Sequence, residues 1–279
     1  VSSVQKELFK LGVKKGTIVA GFVPNCAETV ISMLAVSSLG GVWTSCSPDF
    51  GANGVVDRFG QVDPHILITS NGYSYNGKIF KLEEKVNGVL DSIDSIQHII
   101  EIEFVDVKSN FNHDSIISFG DILSDEQTQP TFEQLPFDHP LFIMYSSGTT
   151  GPPKSIVHSA GGTLIQHMKE HQLHCDIKAG KSTMFWFTTC GWMMWNWLVS
   201  GLSSGSTIVL YDGSPSYPGL ERLWKMIDDF NITHFGTSPK FLSACDSANI
   251  LPNKSCKFGS LESIPVSYTH LTLPTMAIV

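Results

Sequence analysis

Short apolar runs alternate along the chain with stretches of helical periodicity. Thr17 to Val23 reads as a buried strand, turned by Pro24 and Asn25. Asn25 stands where a helix N-cap belongs, with Glu28 at the capping-box spacing, and the helix it would open runs to about Leu39 before Gly40-Gly41. Helical periodicity through Val4, Leu8 and Leu11 precedes it. A helix over Asn53 to Val62 and strands over His65 to Thr69 and Gln97 to Val107 follow. Residues 121–140 are polar, acidic and broken by proline, which reads as a linker. Beyond it come a strand at Leu141 to Tyr145, a helix at Ser159 to His174, a strand at Thr207 to Tyr211 and a helix at Pro218 to Phe230 with proline in its first turn. A strand at Ile232 to Gly236 and a helix opened by Ser238-Pro239 and running to about Ala248 complete the series. This alternation predicts an α/β fold in two sub-domains with mainly parallel sheets. The expected divisions are residues 1–130, 131–264 and a tail, 265–279, without a charged residue and outside the rhythm, which reads as foreign sequence.

Composition narrows the classes. Hydrophobic residues make up 42% and charged residues 16%, which suits a chain with a core rather than a disordered one. A net charge of −8 argues against non-specific binding to nucleic acid or to an anionic membrane. No apolar run reaches the roughly 18–20 residues of a membrane span. Six cysteines without metal or redox spacing read as reduced thiols in the cytosol. The first residue, Val1, sits inside running helical periodicity and reads as a cut into a longer protein.

The chemistry concentrates in residues 143–154, IMYSSGTTGPPK. Gly148 and Gly151 allow backbone amides close to an anion. Ser146, Ser147, Thr149 and Thr150 add hydroxyl donors, and Lys154 adds a point charge. The spacing is not that of a Walker A loop, whose glycines stand farther apart and whose lysine follows the second at once. A hydrophilic surface loop is the alternative reading of such a stretch.

The segment matches the AMP-binding signature of adenylate-forming enzymes. With SPDFG at 47–51, YNGK at 75–78, FEQLPF at 132–137, HPLFIM at 139–144, VHSAGGTLIQHMKEH at 157–171, GWMMWNW at 191–197 and VLYDGSP at 209–215, residues 1–264 resemble the acetoacetyl-CoA synthetase family. The resemblance implies an incomplete N-terminal domain of an adenylate-forming enzyme. It also implies an acid–thiol ligase that uses ATP, Mg2+ and CoA to ligate acetoacetate through an acyl-adenylate, with no nucleic-acid partner. Ser146, Ser147, Gly148, Thr149, Thr150, Gly151 and Lys154 would cradle the β- and γ-phosphates. Trp192 and Met193 would border a short acyl pocket, although the aromatic stretch alone also reads as a buried amphipathic helix. Cys190 reads as packing. Lys78 would meet a CoA phosphate or else stand on a solvated turn. Arg58 reads as half of a surface ion pair with Asp57, and Thr237 to Lys240 could face the pocket.

The resemblance places the adenylation lysine and the acidic groups beyond this chain, so the chain alone is expected to turn over little or nothing, with no catalytic residue of its own. A synthetase for acetate or propionate, and a non-catalytic nucleotide-binding module, remain alternatives. His167, His171 and His174 mimic a zinc-protease helix, a reading set aside because the stretch lies inside the family match.

Overall fold

The computed structural model describes residues 1–123, 129–146 and 151–266. These residues form two compact units: Val1–His167 with Thr188–Asn196, and Met168–Phe187 with the chain from Trp197 onward.

The first unit is built on a seven-stranded sheet. Its strands are β1 (Ile18–Phe22), β2 (Val42–Cys46), β3 (Ile66–Ser70), β6 (His98–Ile102), β7 (Ile116–Ser118), β8 (Pro140–Tyr145) and β9 (Ser155–Ser159), in the spatial order β7-β6-β3-β1-β2-β8-β9. All neighbours pair in parallel except β8 and β9. Strand β1, buried from Val19 onward, and the fully buried β3 open with the apolar runs Ile18-Val19-Ala20 and Ile66-Leu67-Ile68 that a two-sided parallel strand requires. A hairpin of β4 (Gly72–Tyr75) and β5 (Lys78–Lys81) follows β3. Its turn residues Asn76 and Gly77 have φ of 50° and 72°, the left-handed pair that a tight hairpin needs.

Helices cover the sheet. They are α1 (Ser2–Lys10), α2 (Ala27–Ser38), α3 (Ala52–Phe59), α4 (Glu83–Leu90), the short α5 (Phe119–Ile122) and α6 (Ala160–Lys169). One face of β1 places Ala20 and Phe22 in a core with Val55 and Phe59 of α3, Val86 and Val89 of α4, Leu67 and Ile99. On the other face the fully buried Trp43 lies across Gly21. A β-carbon built there would meet the indole at 2.6 Å, so this central strand has room only for glycine.

In the second unit β11 (Thr207–Val209), β10 (Thr183–Trp186) and β12 (His234–Gly236) form a parallel sheet in that order. Trp224 of α8 (Glu221–Asp229) stacks on Phe235, their ring centroids 5.1 Å apart, and Phe241 of α9 (Pro239–Ser247) joins the same core. Together the two sheets are the mainly parallel α/β architecture that the periodicity predicts.

Several local expectations are corrected. The N-cap of α2 is Cys26, not Asn25. Helix α8 begins at Glu221, and Pro218 stands before it after a cis peptide with Tyr217. The expected helix at 159–174 is α-helical only to Lys169 and becomes π-helical over Glu170–His174. Ser238 does cap α9, accepting from Phe241 N at 3.3 Å with Pro239 at the first turn. The proline-rich limb before β8 is fastened along its described part. Thr131 N donates to Gln5 Oε1 at 2.9 Å, and Glu133 N donates to Ser38 O at 2.9 Å.

Candidate functional site

In parallel α/β sheets, ligands gather outside the carboxyl ends of the strands, where loops are free to vary. Here the carboxyl ends of β1, β2 and β8 carry Pro24 and Asn25, Ser47 and Pro48, and Ser146.

The phosphate-loop candidate is the connection between β8 and β9, so it is a hairpin loop at this edge of the sheet. Parallel pairing of β8 with β2 fixes one limb and antiparallel pairing with β9 fixes the other. Its neck is clasped: Ser146 N donates to Lys154 O at 3.0 Å, and Lys154 N donates to Ser146 Oγ at 2.9 Å. Lys154 and Gly151 are exposed. The lysine is thus held at its backbone, and among the described residues no hydrogen bond or ion pair takes its ammonium. Ser147, Gly148, Thr149 and Thr150 lie outside the described residues.

The aromatic segment docks on the same strand ends. Ser45 Oγ of β2 donates to Cys190 O at 2.7 Å while accepting from Trp43 Nε1 at 3.2 Å. Cys190 is buried and its Sγ lies 3.3 Å from Pro24 O, which makes it a packing residue. Asn25, released from capping α2, accepts from the Trp195 indole at 2.9 Å and donates to Thr188 O at 3.4 Å. Asn196 Nδ2 lies 3.0 Å from Met144 Sδ on β8. These contacts hold the turn before α7 (Met193–Ser200) against β1, β2 and β8. Trp192 is 60% exposed and Met193 half-buried at its start. The aromatic stretch from Thr188 to Trp197, which also read as an amphipathic helix, is therefore a turn followed by the first residues of α7.

The structure brings Ser146, Lys154 and the 188–196 segment to one end of one sheet. It does not bring Lys78 there by any contact: Lys78 is exposed at the start of β5, and no hydrogen bond or ion pair joins it to a described residue of the loop or of that segment. Thr237 is buried, and Thr237 N donates to Pro265 O at 3.1 Å. His171 is buried, its Nε2 2.9 Å from Ser200 Oγ and its ring against Trp197. Among the described residues no group of three His, Cys, Asp or Glu side chains could hold a metal ion.

Arg58 departs from the ion-pair expectation. Its guanidinium donates to Gly54 O at 2.7 Å and lies 4.6 Å from the Phe50 ring centre and 6.0 Å from that of Tyr145. Tyr145, the last residue of β8, has its hydroxyl 3.0 Å from Thr44 Oγ1, and burial pushes its phenol above the ordinary range. Gln61, just past α3, donates to Pro153 O at 2.7 Å. Neither the approach of Arg58 to Tyr145 nor the bond of Gln61 to Pro153 carries a sequence signal, because these two partners lie far away along the chain.

Comparison with known proteins shows the family of the chain. The family model described as AMP-binding enzyme matches residues 3–269. The chain is 45% identical over 262 residues to acetoacetyl-CoA synthetase of Gallus gallus, covering 91% of this chain and 39% of that protein. It is 45% identical over 263 residues to acetoacetyl-coenzyme A synthetase of Rhizobium meliloti (strain 1021), covering 94% and 40%. The solved acetoacetyl-CoA synthetase from Streptomyces lividans superposes with a TM-score of 0.90 at 42% identity, over 95% of this chain and 40% of that one. The chain thus spans about two fifths of the length of the curated relatives it matches.

Proposed function

The chain belongs to the AMP-binding enzyme family, and from that premise we propose that the whole protein ligates acetoacetate to CoA at the expense of ATP. The carboxylate attacks the α-phosphorus, giving acetoacetyl-adenylate and pyrophosphate; the CoA thiol then attacks the acyl carbon and AMP leaves. The observation that carries this reading is the clasped hairpin loop at the carboxyl ends of the strands, with the Trp192–Met193 turn docked on the same ends. In this reading Ser146, Ser147, Gly148, Thr149, Thr150, Gly151 and Lys154 hold the β- and γ-phosphates.

The contribution of these residues is positional and electrostatic. The clasp sets the direction of the loop before ATP arrives, and Lys154 offsets charge on the departing pyrophosphate. Trp192 and Met193 border the acyl group, and an indole there suits a four-carbon acid. Lys78 is the candidate for a CoA phosphate. Magnesium belongs to this reading as the counter-ion of ATP. The described residues offer no carboxylate cluster for it, so no step is routed through the metal. The cytosol is the proposed setting, in keeping with six cysteines, none in a disulfide.

The test is pyrophosphate release by the whole protein with ATP, Mg2+ and CoA across acetoacetate, acetate and propionate. Acetoacetate is expected to give the highest kcat/KM; a higher value with acetate would overturn the assignment of the acid.

A further inference from the structure

The end of α3 is bound to the returning limb of the phosphate loop by one side chain. A helix leaves its last four carbonyls without intrahelical donors. In α3 three of these are taken by backbone amides: Gly60 N donates to Val56 O, Gln61 N to Arg58 O and Val62 N to Phe59 O. The fourth, Asp57 O, accepts from the side-chain amide of Gln61 at 2.5 Å. The same Nε2 reaches Pro153 O at 2.7 Å, 92 residues away in sequence. A primary amide has two N–H donors, so both bonds form at once and fix the distance between the helix end and the loop.

Position 153 makes this bond informative. Proline has no N–H, so the carbonyl is the one polar main-chain group through which Pro153 can be gripped. Pro152 and Pro153 restrict the backbone before Lys154, whose N and O form the clasp with Ser146. The turn of α3 that carries Gln61 also meets the outgoing limb, since the Arg58 guanidinium lies over Phe50 and faces Tyr145. Both limbs of the hairpin therefore rest on the carboxyl end of one helix.

We propose that Gln61 is a positioning residue for ATP, acting through Pro153 to orient Lys154 and the clasped neck; this rests on the reading of the loop as the phosphate site. Gln61 touches no reacting atom. Losing its bond would leave the chemical groups intact while the loop samples more orientations before ATP binds, a cost that falls on ATP affinity.

The experiment compares wild type, Gln61→Ala, Gln61→Glu and Gln61→Lys in the whole protein. It measures the ATP dissociation constant by calorimetry, and the KM for ATP, the KM for the acid and kcat by acid-dependent ATP–pyrophosphate exchange. Gln61→Ala is expected to weaken ATP binding and raise the ATP KM about 3- to 10-fold, the effect of one lost hydrogen bond, while the acid KM and kcat stay within about twofold. Gln61→Glu, which keeps the size but loses the donor, should be at least as impaired. Gln61→Lys, which keeps a donor and the reach, should recover most of the loss. An unchanged ATP affinity in Gln61→Ala, or equal rises in the KM for ATP and for acid, overturns the inference. Wild type that binds ATP without exchange counts against the proposed reaction alone, since the binding comparison still decides the role of Gln61. Wild type that does neither overturns both.

Discussion

Asn25 offers the sharpest test of how the segment proposed to border the acyl pocket is held. It is 4% exposed, at the carboxyl end of β1, and its Oδ1 accepts from the indole of Trp195, which is fully buried. In Asn25→Ala the indole N–H is left dry and unpartnered, at a cost of about 1–3 kcal/mol. The longer bond to Thr188 O, 3.4 Å, adds about 0.5 kcal/mol. The bonds to Cys190 from Ser45 and to Pro24 remain, so the segment stays docked and cannot swing out to hydrate the indole. The sum is about 1.5–3.5 kcal/mol. At a urea dependence of about 2 kcal/mol/M the unfolding midpoint should fall by about 0.8–1.8 M. Far-UV circular dichroism is the suitable probe, because Trp195 itself is altered in the partner variant, Trp195→Phe. That variant removes the indole donor from Asn25 Oδ1, and the double variant removes both halves of the bond. The double should therefore be less destabilised than the sum of the singles by about 1–2 kcal/mol. Additivity within about 0.5 kcal/mol would show that the bond does not hold the segment and would refute the reasoning.

Two further outcomes follow from packing and burial. Gly21→Ala drives a methyl to 2.6 Å from the buried Trp43 ring and should destabilise the first unit by about 1–3 kcal/mol, read as a lowered thermal midpoint; an unchanged midpoint would mean that the indole is free to move aside. Burial pushes the Cys26 and Cys46 thiols up to about 12 from 9.0, so iodoacetamide at pH 8 should leave both unlabelled in the native chain and label the half-exposed Cys175 first. The sign of the linkage is set by the unfolded thiols, which ionise above pH 9 while the folded ones do not. Stability should accordingly fall between pH 9 and about 12, by about 1.4 kcal/mol per pH unit for each thiol, and a thermal midpoint equal at pH 8 and pH 10 would contradict that burial.

The phosphate-loop motif was legible because its chemistry is local. Glycines, hydroxyls and a lysine within nine residues make a recognisable pattern without a distant partner, and the strand before them is a run of apolar residues. The same holds for β1, β3 and the Ser238 cap of α9, where period or cap chemistry acts over a few positions. Strand β9 was not legible: SIVHS is short and exposed, and only pairing with β8 makes it a strand. Strand β10 was hidden in an aromatic run whose composition does not separate a buried strand from a buried helix.

What the sequence determined by itself was the alternating α/β order, the loop motif at residues 146–154 and the similarity that names the family. What only the tertiary structure decided was the assignment of polar side chains. Asn25 had a cap signature and instead holds Trp195; Arg58 had a charge beside it in sequence and instead lies over Phe50; Gln61 had no signal and grips Pro153. The physical reason is the range of the forces. Hydrophobic period and turn chemistry act between near neighbours in the chain, whereas a hydrogen bond across 92 or 170 residues depends on where folding has already carried its two ends.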